Sequence, residues 1–266
     1  MIETTQIGPV TQYKLNRRLF GKRIYSTAAY YVDGLLIDTG FHHIANDFFR
    51  LLRQHKVEQI VHTHAHEDHV AANFLFQKHL GIIGKVHSIG IDLIANPPKK
   101  LKPYRSLVWG HPRPAKILPI DDIIETDHYT FKVIELPGHS KDHIGFYEPN
   151  EGWLFGGDLF LSVKVKVLKY DEDYLDWKRS LKQALTLPAS TYLCGSSKIL
   201  QNPDKYLNLK LEFFEETENK ILNLHRNGWP HKKIRNKVLG RESTLTYISQ
   251  GEFSKLNLVK SILGDN

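Results

Sequence analysis

Sulfur is almost absent from this chain: Cys194 is its single cysteine and Met1 its single methionine. One thiol excludes an intrachain disulfide and every cysteine-rich zinc site, so a metal held here must be bound through imidazole and carboxylate. No apolar run is long enough to cross a bilayer, and Met1-Ile2-Glu3-Thr4-Thr5 opens without the basic and apolar regions of a secretory signal. The expectation from both is a cytoplasmic protein with no membrane partner. Acidic residues are missing from residues 93–120, where Lys99, Lys100, Lys102, Arg105, Arg113 and Lys116 fall among Pro97, Pro98, Pro103, Pro112 and Pro114. Much of the formal net charge of +7 sits there; it favours acidic substrates or partners only weakly, because a modest positive balance also serves solubility. With 266 residues, 41% of them hydrophobic, the chain can bury a full core in one large domain with a small appendage. Histidine is in generous supply, at fifteen.

Residues 24–32, rich in tyrosine and small apolar side chains, lead through Asp33-Gly34 into Leu35-Leu36-Ile37, which predicts a two-stranded hairpin. Ile44, Phe48, Leu51 and Leu52 recur at helical spacing within residues 43–55, a short apolar strand follows over 57–61, then a helix over 71–80 and a strand over 85–87. This is a β-α-β-α-β rhythm. Past the basic segment, strands are expected at 130–135, 143–147, 152–155 and 191–194, with a helix over 174–185, closing an α/β unit near residue 200. Helical periodicity then takes over at 206–225, 232–239 and 253–263. The chain therefore divides into an α/β domain over residues 1–204 and a C-terminal helical extension over residues 205–266. Capping the core is the default role for that extension; covering a cleft or forming a dimer interface are the others, and the oligomeric state is not legible.

The chemistry concentrates in His62-Thr63-His64-Ala65-His66-Glu67-Asp68-His69, which begins where a strand stops. Such a loop can turn alternate side chains to one point, and imidazoles and carboxylates crowded together unpaired would cost free energy that a divalent cation recovers. The plain alternative is an exposed polar loop that happens to be rich in histidine. Two more candidates stand at strand ends downstream, His139 in Leu136-Pro137-Gly138-His139-Ser140 and Asp158 in Phe155-Gly156-Gly157-Asp158-Leu159. Each alone is weak, since a lone loop histidine is usually solvated and Gly-Asp is a common turn; their combination with the cluster points to a metal centre. His42 and His43 are left out of the ligand set, because neighbours in sequence cannot easily both point inward.

Thr63-His64-Ala65-His66-Glu67-Asp68-His69 resembles the T-H-x-H-x-D-H signature of the metallo-β-lactamase superfamily. Leu35-Leu36-Ile37-Asp38-Thr39-Gly40 is similar to the strand and Asp-x-Gly turn that precede it, Pro137-Gly138-His139-Ser140 to the P-G-H-T/S element, and Gly157-Asp158 to the metal-bridging aspartate. The resemblance spans about residues 10–200 and leans to the glyoxalase II branch. It implies an α/β fold, a four-layer αβ/βα sandwich with metals at one edge of two facing sheets. It also implies His64, His66 and His139 as ligands of a first metal, and Asp68, His69 and Asp158 as ligands of a second, with Asp158 bridging. Zn2+ is the implied cofactor, one or two per chain, with iron or manganese as alternatives. The family's final histidine is missing: Leu193-Cys194-Gly195-Ser196-Ser197 puts Ser196 in its place. A neutral hydroxyl is a poor zinc ligand, so the second position is expected to bind more weakly, by more than the ~10–100-fold lost on disturbing an outer partner. A misaligned loop would leave Ser196 a plain turn residue.

The activity implied is hydrolysis of an ester-like bond in a thioester, a lactone or another small acyl compound. Zinc brings the pKa of its water to about 7, and Asp68 is the catalytic residue that accepts the proton. The partner is then a small-molecule substrate. Lys164 and Lys166 could meet an anionic one, although lysines on an alternating strand are commonly no more than surface. A phosphodiesterase or nuclease acting on nucleic acid is the second reading, because Tyr104 and Trp109 interleave with the cations of the basic segment; a solvated loop or lid stiffened by prolines accounts for the same residues and is preferred. A mono-iron oxidative member, or a catalytically decayed one that only binds metal, is the third.

Overall fold

The computed structural model describes residues 1–265. Its first feature is a meander that side-chain periodicity does not announce: β1 (Ile2–Ile7) and β2 (Val10–Leu19) pair antiparallel ahead of the expected hairpin of β3 (Lys22–Val32) and β4 (Leu35–Ile37). Between β3 and β4, Asp33 and Gly34 both take positive φ, 48° and 81°, the geometry of a two-residue hairpin turn. Glycine suits position 34 because L side chains rarely adopt a φ of 81°. Then follow α1 (His42–Leu52), β5 (Gln59–Val61), α2 (Asn73–Leu80) and β6 (Gly84–Val86).

Of the solvated loop or lid expected of the basic segment, the structure does not bear out the loop. The segment holds α3 (Ile91–Ala95) and α4 (Pro103–Val108) before β7 (Ile117–Pro119), and it buries Ile94, Tyr104, Ala115 and Ile117. Its prolines are compatible with helix where they fall: Pro103 opens α4, where its missing N–H costs nothing. β4, β5, β6 and β7 run parallel in a seven-stranded sheet ordered β1 to β7, so the C-terminal ends of four strands reach one edge.

The second half contributes β8 (Ile123–Glu125), β9 (Thr130–Glu135), β10 (Ile144–Glu148), β11 (Trp153–Gly157), the two-residue β12 (Leu168–Lys169), α5 (Tyr174–Ala184), β13 (Thr191–Cys194) and β14 (Ile199–Gln201). Six of these strands form a sheet ordered β14-β13-β11-β10-β9-β8, with β11 and β13 parallel. The chain continues through α6 (Asp204–Arg226), α7 (His231–Val238), α8 (Thr244–Ile248), β15 (Phe253–Ser254) and α9 (Lys255–Leu263). β15 pairs with β12, binding this last stretch back onto the main body.

Three apolar slabs define the layers. Ala28, Tyr30, Ile37 and Val61 from one sheet meet Phe131, Phe146, Phe155 and Leu193 from the other. Ala29, Leu36 and Ile60, one residue out of phase as a strand period requires, pack under Phe48 and Phe76 of α1 and α2. On the far side, Leu154 and Tyr192 pack beneath Trp177 and Leu181 of α5, together with Phe214 of α6 and Val259 of α9. Helix, sheet, sheet, helix is the sandwich expected, and the C-terminal helices extend its fourth layer. Among the described residues no helix is long and apolar enough to cross a membrane.

Candidate metal centre

Three loops leaving strand ends converge on one edge of the two sheets. The loop after β5 carries His64, His66, Asp68 and His69, the loop after β9 carries His139, and the loop after β11 carries Asp158. Cross-ties fix them to one another. Ile144 N donates to Thr63 O at 2.8 Å and Ala65 N to Asp142 Oδ2 at 2.7 Å, joining the first loop to the second. His143 joins the second to the third: its Nδ1 donates to Leu136 O at 2.9 Å, and its Nε2 accepts from Asp158 N at 2.9 Å. That pattern demands a neutral imidazole, in keeping with burial and the neighbouring His139, which push His143 down to about 3.

The ring nitrogens of His64, His66 and His139 lie within 4.8 Å of one another, and so do donor atoms of His64, His69 and Asp158. Asp158 faces both groups, its Oδ2 lying 3.5 Å from His139 Nε2 and 3.8 Å from His69 Nε2. His64 Nε2, His69 Nε2 and Asp158 Oδ1 are buried with no hydrogen-bond partner. Buried polar atoms are almost always satisfied, and several orphaned nitrogens and a carboxylate oxygen gathered at one point are the donor set a divalent cation accepts. The residues present fit a metal. His62, at the start of the same loop, lies outside both groups, with its Nδ1 3.6 Å from Asp38 Oδ1.

Burial first, and then the crowding of imidazoles and cations, holds His64 and His66 well below the ordinary histidine range. Both are therefore neutral, the form that binds metal. In His69 burial is outweighed by Asp68, Asp38 and Asp158, which raise it well above that range. Its Nδ1 sits 2.8 Å from Asp38 Oδ2, leaving Nε2 turned to Asp158; carboxylates fix metal-binding histidines in this way. Asp38 is itself held by Thr63 N and Thr63 Oγ1, both at 2.9 Å. His139 has the same arrangement, with Nδ1 2.7 Å from Glu172 Oε1. Glu172 lifts its pKa against the pull of burial.

Asp68 stands beside these groups but in neither. Its Oδ2 is 3.5 Å from His69 Nε2 and accepts the Tyr25 hydroxyl. Burial alone would raise its pKa, yet His69 and the Tyr25 hydrogen bond hold the carboxyl at about 2. The loop after β13 crosses the second group as bare backbone: a Cβ at Gly195 would meet Asp158 Oδ1 and lie 3.1 Å from His69 Cε1. No histidine, cysteine or carboxylate of this loop joins either group among the described residues. Ser196, next in sequence, has a buried Oγ with no hydrogen-bond partner.

A cleft opens over the centre. Arg105 of α4 pairs with Glu67, at 2.7 Å from Nε to Oε1, and with Glu252 just before β15, which also takes Lys102 at 3.2 Å. Lys169 of β12 lies 3.3 Å from His66 Nε2 and 2.9 Å from Asp171 Oδ2. Lys164 and Lys166 are exposed, while the intervening Val165 and the following Val167 line the cleft. His43 Nε2 donates to Ser106 O at 2.9 Å and so braces α4 rather than the centre. Behind the centre, Leu159 O accepts Trp177 Nε1 at 2.8 Å and Lys210 Nζ at 2.5 Å. Lys210, on α6, is 0% exposed; its Nζ is 4.1 Å from the Trp177 ring centre, and burial pushes it down to about 7.

Sequence reasoning takes Asp38 only as part of a turn and passes over Tyr25, Asp142, His143, Lys169, Glu172 and Lys210. His143, four residues after His139, carried a usable signal in that spacing. The others had none.

Residues 25–196 match the family described as the Metallo-beta-lactamase superfamily. A hydroxyacylglutathione hydrolase of Wigglesworthia glossinidia brevipalpis is 36% identical over 112 residues, 42% of this chain and 41% of that protein. One from Cereibacter sphaeroides is 27% identical over 170 residues, 64% of this chain and 58% of its own. The matched stretch thus spans about half the length of these curated relatives. Among solved structures, a metallo-beta-lactamase family protein from Thermus thermophilus superposes with a TM-score of 0.73 at 18% identity, over 97% of this chain and 94% of that one. A metallo-beta-lactamase from Pontibacter korlensis gives 0.64 at 19%, over 81% and 99%. At such identities the likeness is one of fold.

Proposed function

This chain belongs to the metallo-beta-lactamase superfamily, and from that premise we propose that it is a metal-dependent hydrolase of ester-like bonds, acting on a thioester, a lactone or another small acyl compound. One observation carries the reading: two donor groups share His64, are faced by a single carboxylate, Asp158, and underlie an open cleft. Relatives named hydroxyacylglutathione hydrolase support an acyl compound of a thiol.

His64, His66 and His139 would hold a first ion, and His69 and Asp158 a second, with Asp68 beside them. Imidazole and carboxylate suit zinc, with iron or manganese as alternatives. A divalent cation bound there makes water nucleophilic near neutral pH and polarises the acyl carbonyl. Asp68, ionised and anchored by the Tyr25 hydroxyl, would accept the proton of the attacking water. Asp38 and Glu172 keep the Nε2 atoms of His69 and His139 turned to the centre. A cysteine nucleophile is ruled out, because Cys194 is fully buried and burial pushes its thiol up, leaving it inert.

The test is turnover of a thioester and lactone panel by zinc-loaded protein. Activity is expected to vanish on chelation and return with zinc. Chelator-insensitive turnover, or none across the panel, overturns the reading. A phosphodiester substrate is the second reading, supported by Lys100 and Arg113 at the cleft; it predicts single-strand binding that weakens with salt, and no binding at low salt removes it.

A further inference from the structure

We propose that the acyl group this enzyme accepts is apolar, an aliphatic or aryl chain without a hydroxyl, seated in a pocket of about 230 Å³ that ends on the candidate metal ligands. The inference rests on the acyl-hydrolase reading and narrows its substrate class.

The pocket's floor is His66, Asp68, His139 and Asp158. Its walls come from stretches far apart in sequence: Trp109 after α4, Leu161, Val165 and Val167 ahead of β12, and Phe253 of β15. The alternation that turns Lys164 and Lys166 outward turns the two valines inward. The ring of Tyr25 completes the enclosure, edge-on to Trp109 with centroids 5.6 Å apart.

Most polar side chains around this pocket are already engaged, Trp109 Nε1, buried without a hydrogen-bond partner, being the exception. The Tyr25 hydroxyl is spent on Asp68, Arg105 on Glu67 and Glu252, Lys169 on Asp171, and Glu172 on His139. A hydroxyl on the part of the chain that lies against Leu161, Val165, Val167 and Phe253 would leave water for apolar walls, a net loss. A methylene in the same place gains by burial. The space is finite and is shared with any ion held by the residues of its floor, so it admits a short chain. The leaving group has its own compartment, a cavity of about 450 Å³ that meets the first at His66, Arg105 and Lys169.

The experiment uses one thiol carrying acyl groups of graded length, together with counterparts of equal length hydroxylated at the far end of the chain, on the zinc-loaded protein. Binding of the corresponding free carboxylates is measured by calorimetry. We expect kcat/KM to rise with chain length and then fall once the pocket is filled, and each hydroxylated compound to be poorer by about 10- to 100-fold. The carboxylates should bind in the same order. Phe253→Ala and, independently, Val165→Ala should move the optimum to longer chains. Hydroxyacyl compounds turned over as well as plain ones, or indifference to length, with metal dependence intact, would overturn the apolar pocket and leave the hydrolase standing. Carboxylates binding in the expected order without turnover of any thioester would uphold the pocket and remove the hydrolase.

Discussion

Asp38 shows how much of the centre depends on residues that never face the cleft. It fixes His69 through Nδ1 and is fixed in turn by Thr63. Asp38→Asn keeps the shape but loses the charge opposite His69; it should cost ~10–100-fold in metal affinity, read by competition with a chelating dye, and lower the denaturation midpoint as well, because a buried ion pair is broken. Ser196→His is expected to do the reverse, tightening the second ion and raising the metal content of protein purified without added metal. Unchanged stoichiometry in that variant would mean that position 196 does not face the second group. Residues at this scale divide by distance along the chain. His64, His66 and His69, which the structure gathers into the two donor groups, were legible because they fall within a few positions of one loop; Asp68, expected with them, stands beside the groups. Glu172 and Tyr25 were not legible, because their partners His139 and Asp68 lie far off in sequence and no spacing rule connects them.

At the level of elements, segments with a strong period or a diagnostic turn could be read directly: the β3–β4 hairpin from Asp33-Gly34, α1 from Ile44 and Phe48, and α5 and α6 from theirs. β1 escaped because most of its side chains are exposed, so no alternation marks it. β7, β8, β12 and β14 escaped because two or three residues are too few to show any period. Helix α6 hides a different feature, Lys210, an ammonium beneath the loop that follows Asp158. Its pKa of about 7 in the folded chain lies below the value near 10.4 of an unfolded one. Between those values the unfolded chain holds more protons, so stability rises with pH across that window and falls as pH drops toward 7. The largest causes are burial, then Glu172, Cys194 and Asp158, which favour the charged form without offsetting it. Lys210→Met should therefore match or exceed the parent in stability at pH 7, by an amount on the order of a few kcal/mol, and lose that advantage by pH 10. Urea denaturation at the two pH values measures it, and an advantage that does not shrink would contradict that sign.

For the molecule as a whole, the C-terminal extension is inseparable from the fourth layer. Leu207, Phe214, Ile221, Ile234, Leu258, Val259 and Ile262 share one apolar cluster with Leu154, Trp177 and Tyr192. At about 1.5–3 kcal/mol for each buried side chain, these seven contribute an amount comparable to the roughly 5–15 kcal/mol that keeps a domain folded. Residues 1–204 alone should be unfolded or aggregated by circular dichroism and gel filtration; a monomeric, cooperatively melting fragment would refute this. The stitching between the two sheets has a temporal consequence as well. Ala28 bonds Gly195, Thr63 bonds Ile144 and Ala65 bonds Asp142, pairings between stretches that leave the ribosome far apart in time. Contacts so remote along the chain are slow to form, so an emerging polypeptide has no competent cation trap. On the proposed reading, metal capture would follow the docking of both halves.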